Sequence, residues 1–89
     1  MTRESHIEKK VSGFAERQGW LCFKWSSPNT RAVPDHIYLK GGDWRMIEFK
    51  APGEQPSKLQ IRMHKKLEAE GFKVHVIDNI ENGKALFAG

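Results

Sequence analysis

Acidic side chains that meet at one point attract a hard divalent cation, and this sequence sets up such a meeting. Pro34-Asp35 opens the segment Asp35–Lys40 (DHIYLK), and Glu48-Phe49-Lys50 closes the segment Trp44–Lys50 (WRMIEFK). Gly41-Gly42-Asp43 lies between them, so strand, short Gly-rich turn and strand predict a β-hairpin. Pairing in a hairpin brings the start of the first strand beside the end of the second, which sets Asp35 next to Glu48. Residues two apart on a strand share a face, so Glu48 and Lys50 project together. Two carboxylates and an ammonium then converge at one edge of a sheet. Oxygen ligands of this kind suit Mg²⁺, with Mn²⁺ able to substitute, and the cation removes the repulsion between the acids. It can polarise a phosphodiester oxygen and acidify a bound water, while Lys50 orients that water or stabilises developing negative charge. As a bare pattern the same residues describe a turn Asp35 after Pro34 and a surface ion pair. The hairpin context favours the cation site.

A third acid comes from the first segment. Ile7, Val11, Phe14 and Ala15 recur at helical spacing from Thr2 to about Gln18, and Gly19 is a plausible stop. At about 100° per residue, Glu4 and Glu8 fall roughly 60° and 100° from Ile7, inside or beside the apolar stripe. A carboxylate on the core side needs a partner, because burying it alone is costly. The competing explanation, an acid favoured by the helix dipole, accounts for Glu4 better than for Glu8.

The remaining elements must position these groups. Trp20–Trp25 (WLCFKW) is short and aromatic, as a strand is, and Ser26–Pro34 (SSPNTRAVP) has the chemistry of a loop. Ala51–Pro56 forms a second loop. Ser57 caps a helix running to about Glu70, with Leu59, Met63 and Leu67 as its predicted buried stripe. Phe72–Asp78 alternates as a strand does, and the tail from Asn79 to Gly89 is undecided between helix and strand. The order α-β-β-β-α-β over residues 1–89 predicts a single α/β domain with helices packed on a mixed sheet. Ser57-x-x-Gln60 fits a capping box, which competes with a site role for Gln60.

Composition narrows the classes further. With 89 residues, 38% hydrophobic and 29% charged, the chain is a small globular domain rather than a disordered segment. It has no apolar run long enough to span a bilayer and no signal-peptide pattern. One cysteine, Cys22, excludes an internal disulfide and a Cys-cluster zinc site, and fits a cytoplasmic setting. A net charge of +4 suits a polyanionic partner. Lys58, Arg62, Lys65 and Lys66 form a basic strip on the second helix, suited either to phosphates or simply to solvent. The four histidines show no metal-ligand spacing, and His36 is the one beside the predicted site. Trp20, Trp25 and Trp44 read as core or subunit-contact residues.

Pro34-Asp35…Glu48-x-Lys50, preceded by a helical Glu and followed by Ser57-x-x-Gln60 at a helix start, resembles the PD-(D/E)xK nuclease superfamily. More narrowly it resembles the VRR-NUC (virus-type replication-repair nuclease) domains, over nearly the whole chain from Glu4 to the Val74–Ile77 strand. The resemblance implies a restriction-endonuclease-like fold and a metal-dependent endonuclease, with Asp35 and Glu48 as metal ligands and the Phe49 carbonyl as a further one. Lys50 is then the catalytic lysine, and Gln60 points its amide toward the metal site. Glu8 matches the acidic helix position of the Holliday-junction resolvases, and Glu4 an acidic position of VRR-NUC sequences. Minimal relatives imply a homodimer acting on branched DNA such as Holliday junctions, in a bacterial or virus-infected cell. The alternative class is a non-catalytic nucleic-acid-binding module or a subunit of a replication or repair complex. Ala32 departs from the family, which usually has Gly before x-Pro-Asp.

Overall fold

A computed structural model describes residues 2–88. The Thr2 side chain caps α1 (Arg3–Arg17) by accepting the Ser5 N–H at 3.0 Å. This helix buries Ile7, Val11 and Ala15 along one stripe. It is followed by β1 (Leu21–Lys24), β2 (His36–Lys40) and β3 (Asp43–Phe49). Gly41 and Gly42, at φ 55° and 82°, make the β2–β3 turn. Two successive left-handed residues are what a tight hairpin matched to strand twist requires.

After the hairpin come α2 (Lys58–Ala69), β4 (Val74–Ile77) and α3 (Ile80–Ala85), so the undecided tail is helical over Ile80–Ala85. The sheet runs β1-β2-β3-β4, antiparallel through the first three strands and parallel between β3 and β4. A parallel step needs a crossover, and α2 provides it. Side-chain alternation then divides the sheet. Tyr38, Ile47, Phe49 and Ile77 join Ile7, Val11 and Ala15 of α1, with Trp20 and Phe87, in the main core. Glu48 and Lys50 project from the opposite face.

One expectation changes. The predicted stripe Leu59, Met63, Leu67 does not define the buried side of α2. Leu59 is 45% exposed, Met63 and Leu67 are half-buried, and the one buried residue of α2 is His64. The helix meets the sheet mainly along its β4 margin, so it turns a narrow face inward. The tryptophans also separate: Trp20 is core, whereas Trp25 and Trp44 are half-buried.

Ala32 adopts φ 65°, the sole left-handed non-glycine among the described residues. Pro34 restricts Val33 to extended backbone, so the loop turns at Ala32, the position where the resemblance led us to expect Gly. Left-handed backbone costs a non-glycine residue roughly 1–2 kcal/mol, partly offset by the extra unfolded freedom of glycine, about 0.5–1 kcal/mol. Ala32→Gly is therefore expected to stabilise the fold by about 0.5 kcal/mol, read as a small rise in the thermal unfolding midpoint.

Candidate active site

The β2–β3 register pairs His36 with Ile47, and one further step sets Asp35 opposite Glu48. Asp35 sits just before β2, where its Oδ2 accepts the Phe49 N–H at 3.0 Å and its carbonyl accepts the Trp25 N–H at 2.8 Å. It is thereby tied to the ends of both neighbouring strands. In a strand the N–H and C=O of one residue point to the same side, so the Phe49 carbonyl looks toward Asp35 as well.

Glu48 is 1% exposed, an unusual place for a carboxylate. Its Oε1 has no hydrogen-bond partner, and His64 Nε2, 3.5 Å away, is likewise unpartnered. Burial first, then a hydrogen bond and repulsion from the Asp35 carboxyl, push the Glu48 carboxyl up to about 8; Lys50 opposes the shift. Lys50 is largely buried and lies 3.8 Å from Glu54. Glu4 reaches the same cluster from the first turn of α1. Its carboxyl is raised by burial and by Asp35, with Lys50 pulling it down.

Glu8 has a different attachment. Its Oε1 is 2.8 Å from Nε2 of buried His36, so the Glu8 carboxylate already has a partner. Gln60 completes the capping box of α2: Oε1 accepts the Ser57 N–H at 2.9 Å, and Ser57 Oγ accepts the Gln60 N–H at 3.1 Å. Among the described residues no hydrogen bond engages the Gln60 amide nitrogen. Lys58, Arg62, Lys65 and Lys66 are all exposed on α2. Burial, then the nearby Glu16 and Glu8, push the Cys22 thiol up to about 11, which disfavours the thiolate.

His64 is the site neighbour that the sequence reading passed over. It follows Gln60 by four positions and so lies on the same helix face; that spacing was the available signal. Among the described residues no three His, Cys, Asp or Glu side chains form a ready cage. The donor set still fits a hard cation. Mg²⁺ is commonly held by one or two carboxylates with the rest of its shell water, and Glu48 presents a buried, unpartnered oxygen beside Asp35.

A helix, an antiparallel hairpin carrying an Asp–Glu–Lys cluster and a parallel fourth strand define a nuclease of the PD-(D/E)xK type. The fold superposes on a solved structure described as a VRR_NUC domain with a TM-score of 0.88 and 25% identity, covering 97% of this chain and 95% of that one. In sequence, the chain is 39% identical over 80 residues to "Putative nuclease p44" of Acyrthosiphon pisum secondary endosymbiont phage 1, spanning 89% of this chain and 86% of the phage protein. No protein-family profile matches. The chain belongs to the VRR-NUC family of nucleases. Among the described residues, no helix is long and apolar enough to cross a membrane.

Proposed function

We propose that this nuclease is a divalent-metal-dependent endodeoxyribonuclease, with Mg²⁺ as its working ion, and that residues 1–89 act as one nuclease domain. The observation that carries this reading is the buried Glu48 oxygen, unpartnered beside Asp35 and on the strand that Lys50 immediately follows. Asp35, Glu48 and the Phe49 carbonyl would hold the cation, with Glu4 at its margin. Bound there, the ion would supply charge neutralisation on the phosphodiester and a more acidic water. Lys50 stabilises negative charge as the phosphorus–oxygen bond breaks. Glu8 acts through His36, which keeps α1 seated against the start of β2. The exposed lysines and Arg62 of α2 carry the DNA backbone. A pure binding module has no use for clustered acids that repel phosphate.

The substrate we propose is branched DNA, cut by a homodimer. Leu21, Phe23 and Leu39 are 59%, 52% and 40% exposed on one face of the sheet, an apolar surface that a second copy would cover. Two symmetric cuts in a four-way junction need two sites, which a two-fold dimer brings. The test is cleavage of linear, flap, splayed and four-way DNA with and without Mg²⁺, together with light scattering. A monomer without junction preference would replace this reading with a nicking or flap activity, and no metal-dependent cleavage of any substrate would remove the endonuclease reading.

Gln60 supplies a sharper check. Gln60→Glu keeps the oxygen that caps Ser57 and adds a charge that suits a helix N-terminus. It removes the amide donor one turn before His64. We expect an unchanged or slightly higher unfolding midpoint and cleavage reduced about tenfold, the loss of one hydrogen bond to a charged group. A stable variant cutting at the wild-type rate would leave Gln60 as a cap alone.

A further inference from the structure

Two of the three tryptophans already have aromatic partners. Trp20 meets Phe87 edge-on at 5.1 Å, with the Arg45 guanidinium 5.1 Å from its ring centre, and Trp44 lies 5.3 Å from Phe72. Among the described residues Trp25 has no such partner. It is half-buried at the end of β1, and its N–H bonds the carbonyl of Asp35. Its backbone is therefore fixed one hydrogen bond away from a proposed metal ligand.

Trp25 also lines a cavity of about 380 Å³, which it shares with Glu4, Glu8 and Asp35. That volume lies near the small end of ligand sites, roughly 300–1,000 Å³. It suits one nucleoside rather than a duplex. The walls say which part of a nucleotide belongs there. Carboxylates repel phosphate but accept hydrogen bonds from the amino and imino groups of a base, and an indole face stacks on any base. Lys24 and Ser26, which flank Trp25 in sequence, line the same cavity and offer a cation and a hydroxyl to a flanking phosphate.

We propose that Trp25 is a stacking platform for an unpaired nucleobase beside the scissile phosphate, so that the enzyme selects DNA in which that base is free. The inference rests on the nuclease reading and narrows it. A base inside a duplex has both faces covered by its neighbours, and turning it out costs a few kcal/mol. A junction, flap or single-stranded end supplies a free base without that cost. The specificity follows from an aromatic surface that only an unstacked base can reach.

The experiment uses the full chain with EDTA, a short single-stranded thymidine oligonucleotide and an abasic oligonucleotide of equal length. Thymidine binding is expected to quench tryptophan emission, and Trp25→Phe is expected to lose most of that quenching while still binding. Trp25→Ala is expected to bind the thymidine oligonucleotide about tenfold more weakly, within the range for loss of one base–aromatic stack. Wild type and Trp25→Ala should then bind the abasic oligonucleotide alike. With Mg²⁺, Trp25→Ala should lose a similar factor in kcat/KM on splayed DNA. Wild-type affinity of Trp25→Ala for thymidine DNA, or an equal loss on abasic DNA, would overturn the platform. If the wild type cleaves nothing, the nuclease reading falls, and the paired binding measurements still decide the role of Trp25.

Discussion

Asp35→Asn and Glu48→Gln proteins are each expected to fold, to bind DNA without metal, and to lose cleavage by about a thousandfold or more, as loss of a group that manages transition-state charge does. Asparagine retains an oxygen for the Phe49 N–H that Asp35 holds at 3.0 Å, so the end of the hairpin survives. Glutamine replaces a carboxyl that burial already pushes up to about 8. Without metal, the wild type stores a penalty at Glu48. Its folded value lies above the ordinary 4.5, so stability is fully present below about 4.5 and is lost as the pH rises through about 8. The Glu48→Gln protein should lack that part of the decline. Mg²⁺ should raise the unfolding midpoint of the wild type, more strongly as the pH rises, because a ligand that binds only the folded state stabilises it by mass action. Neither variant should show that rise. Calorimetry with and without EDTA reads the stability, and a junction assay reads the cleavage. Wild-type cleavage by either variant would remove the site assignment.

The largest effect expected on the fold comes from Gly83→Ala. Gly83 is buried in α3 where that helix crosses α1, and a methyl group there would run into Val11 Cγ2. It would also lie 3.1 Å from Val11 Cγ1 and 3.2 Å from Ile77 Cγ2. Val11 is fully buried and its β-branched side chain has little rotamer freedom in a helix, so α3 itself must move. Overpacking of this kind costs about 1–3 kcal/mol. In a domain of this size each kcal/mol shifts the unfolding midpoint by about 4–8 °C. A drop on the order of 10 °C is expected, although alanine is the better helix former. An unchanged midpoint would mean that α3 does not approach α1 this closely.

Local chemistry made much of this protein legible from its residues. Gly41-Gly42 with strand-forming runs on either side specifies a tight hairpin, and its register alone sets Asp35 against Glu48. Ser57 announces its helix through the cap it forms, and alternation places Glu48 and Lys50 on one side of the strand. Each of these follows from neighbours in the chain. Which faces meet is a different kind of question. The period of α2 predicted Leu59, Met63 and Leu67 as its inner side, yet the helix rests on the β4 margin and buries His64 against Glu48. Glu4 and Glu8 share a flank of α1, but the packing of α1 on the sheet gives Glu8 to His36 and leaves Glu4 near Asp35 and Lys50. Likewise Gly83 is unremarkable in sequence until α3 lies on Val11. Periodicity names the residues that share a face; only the docking of helix on sheet, through contacts between residues far apart in the chain, decides what that face touches.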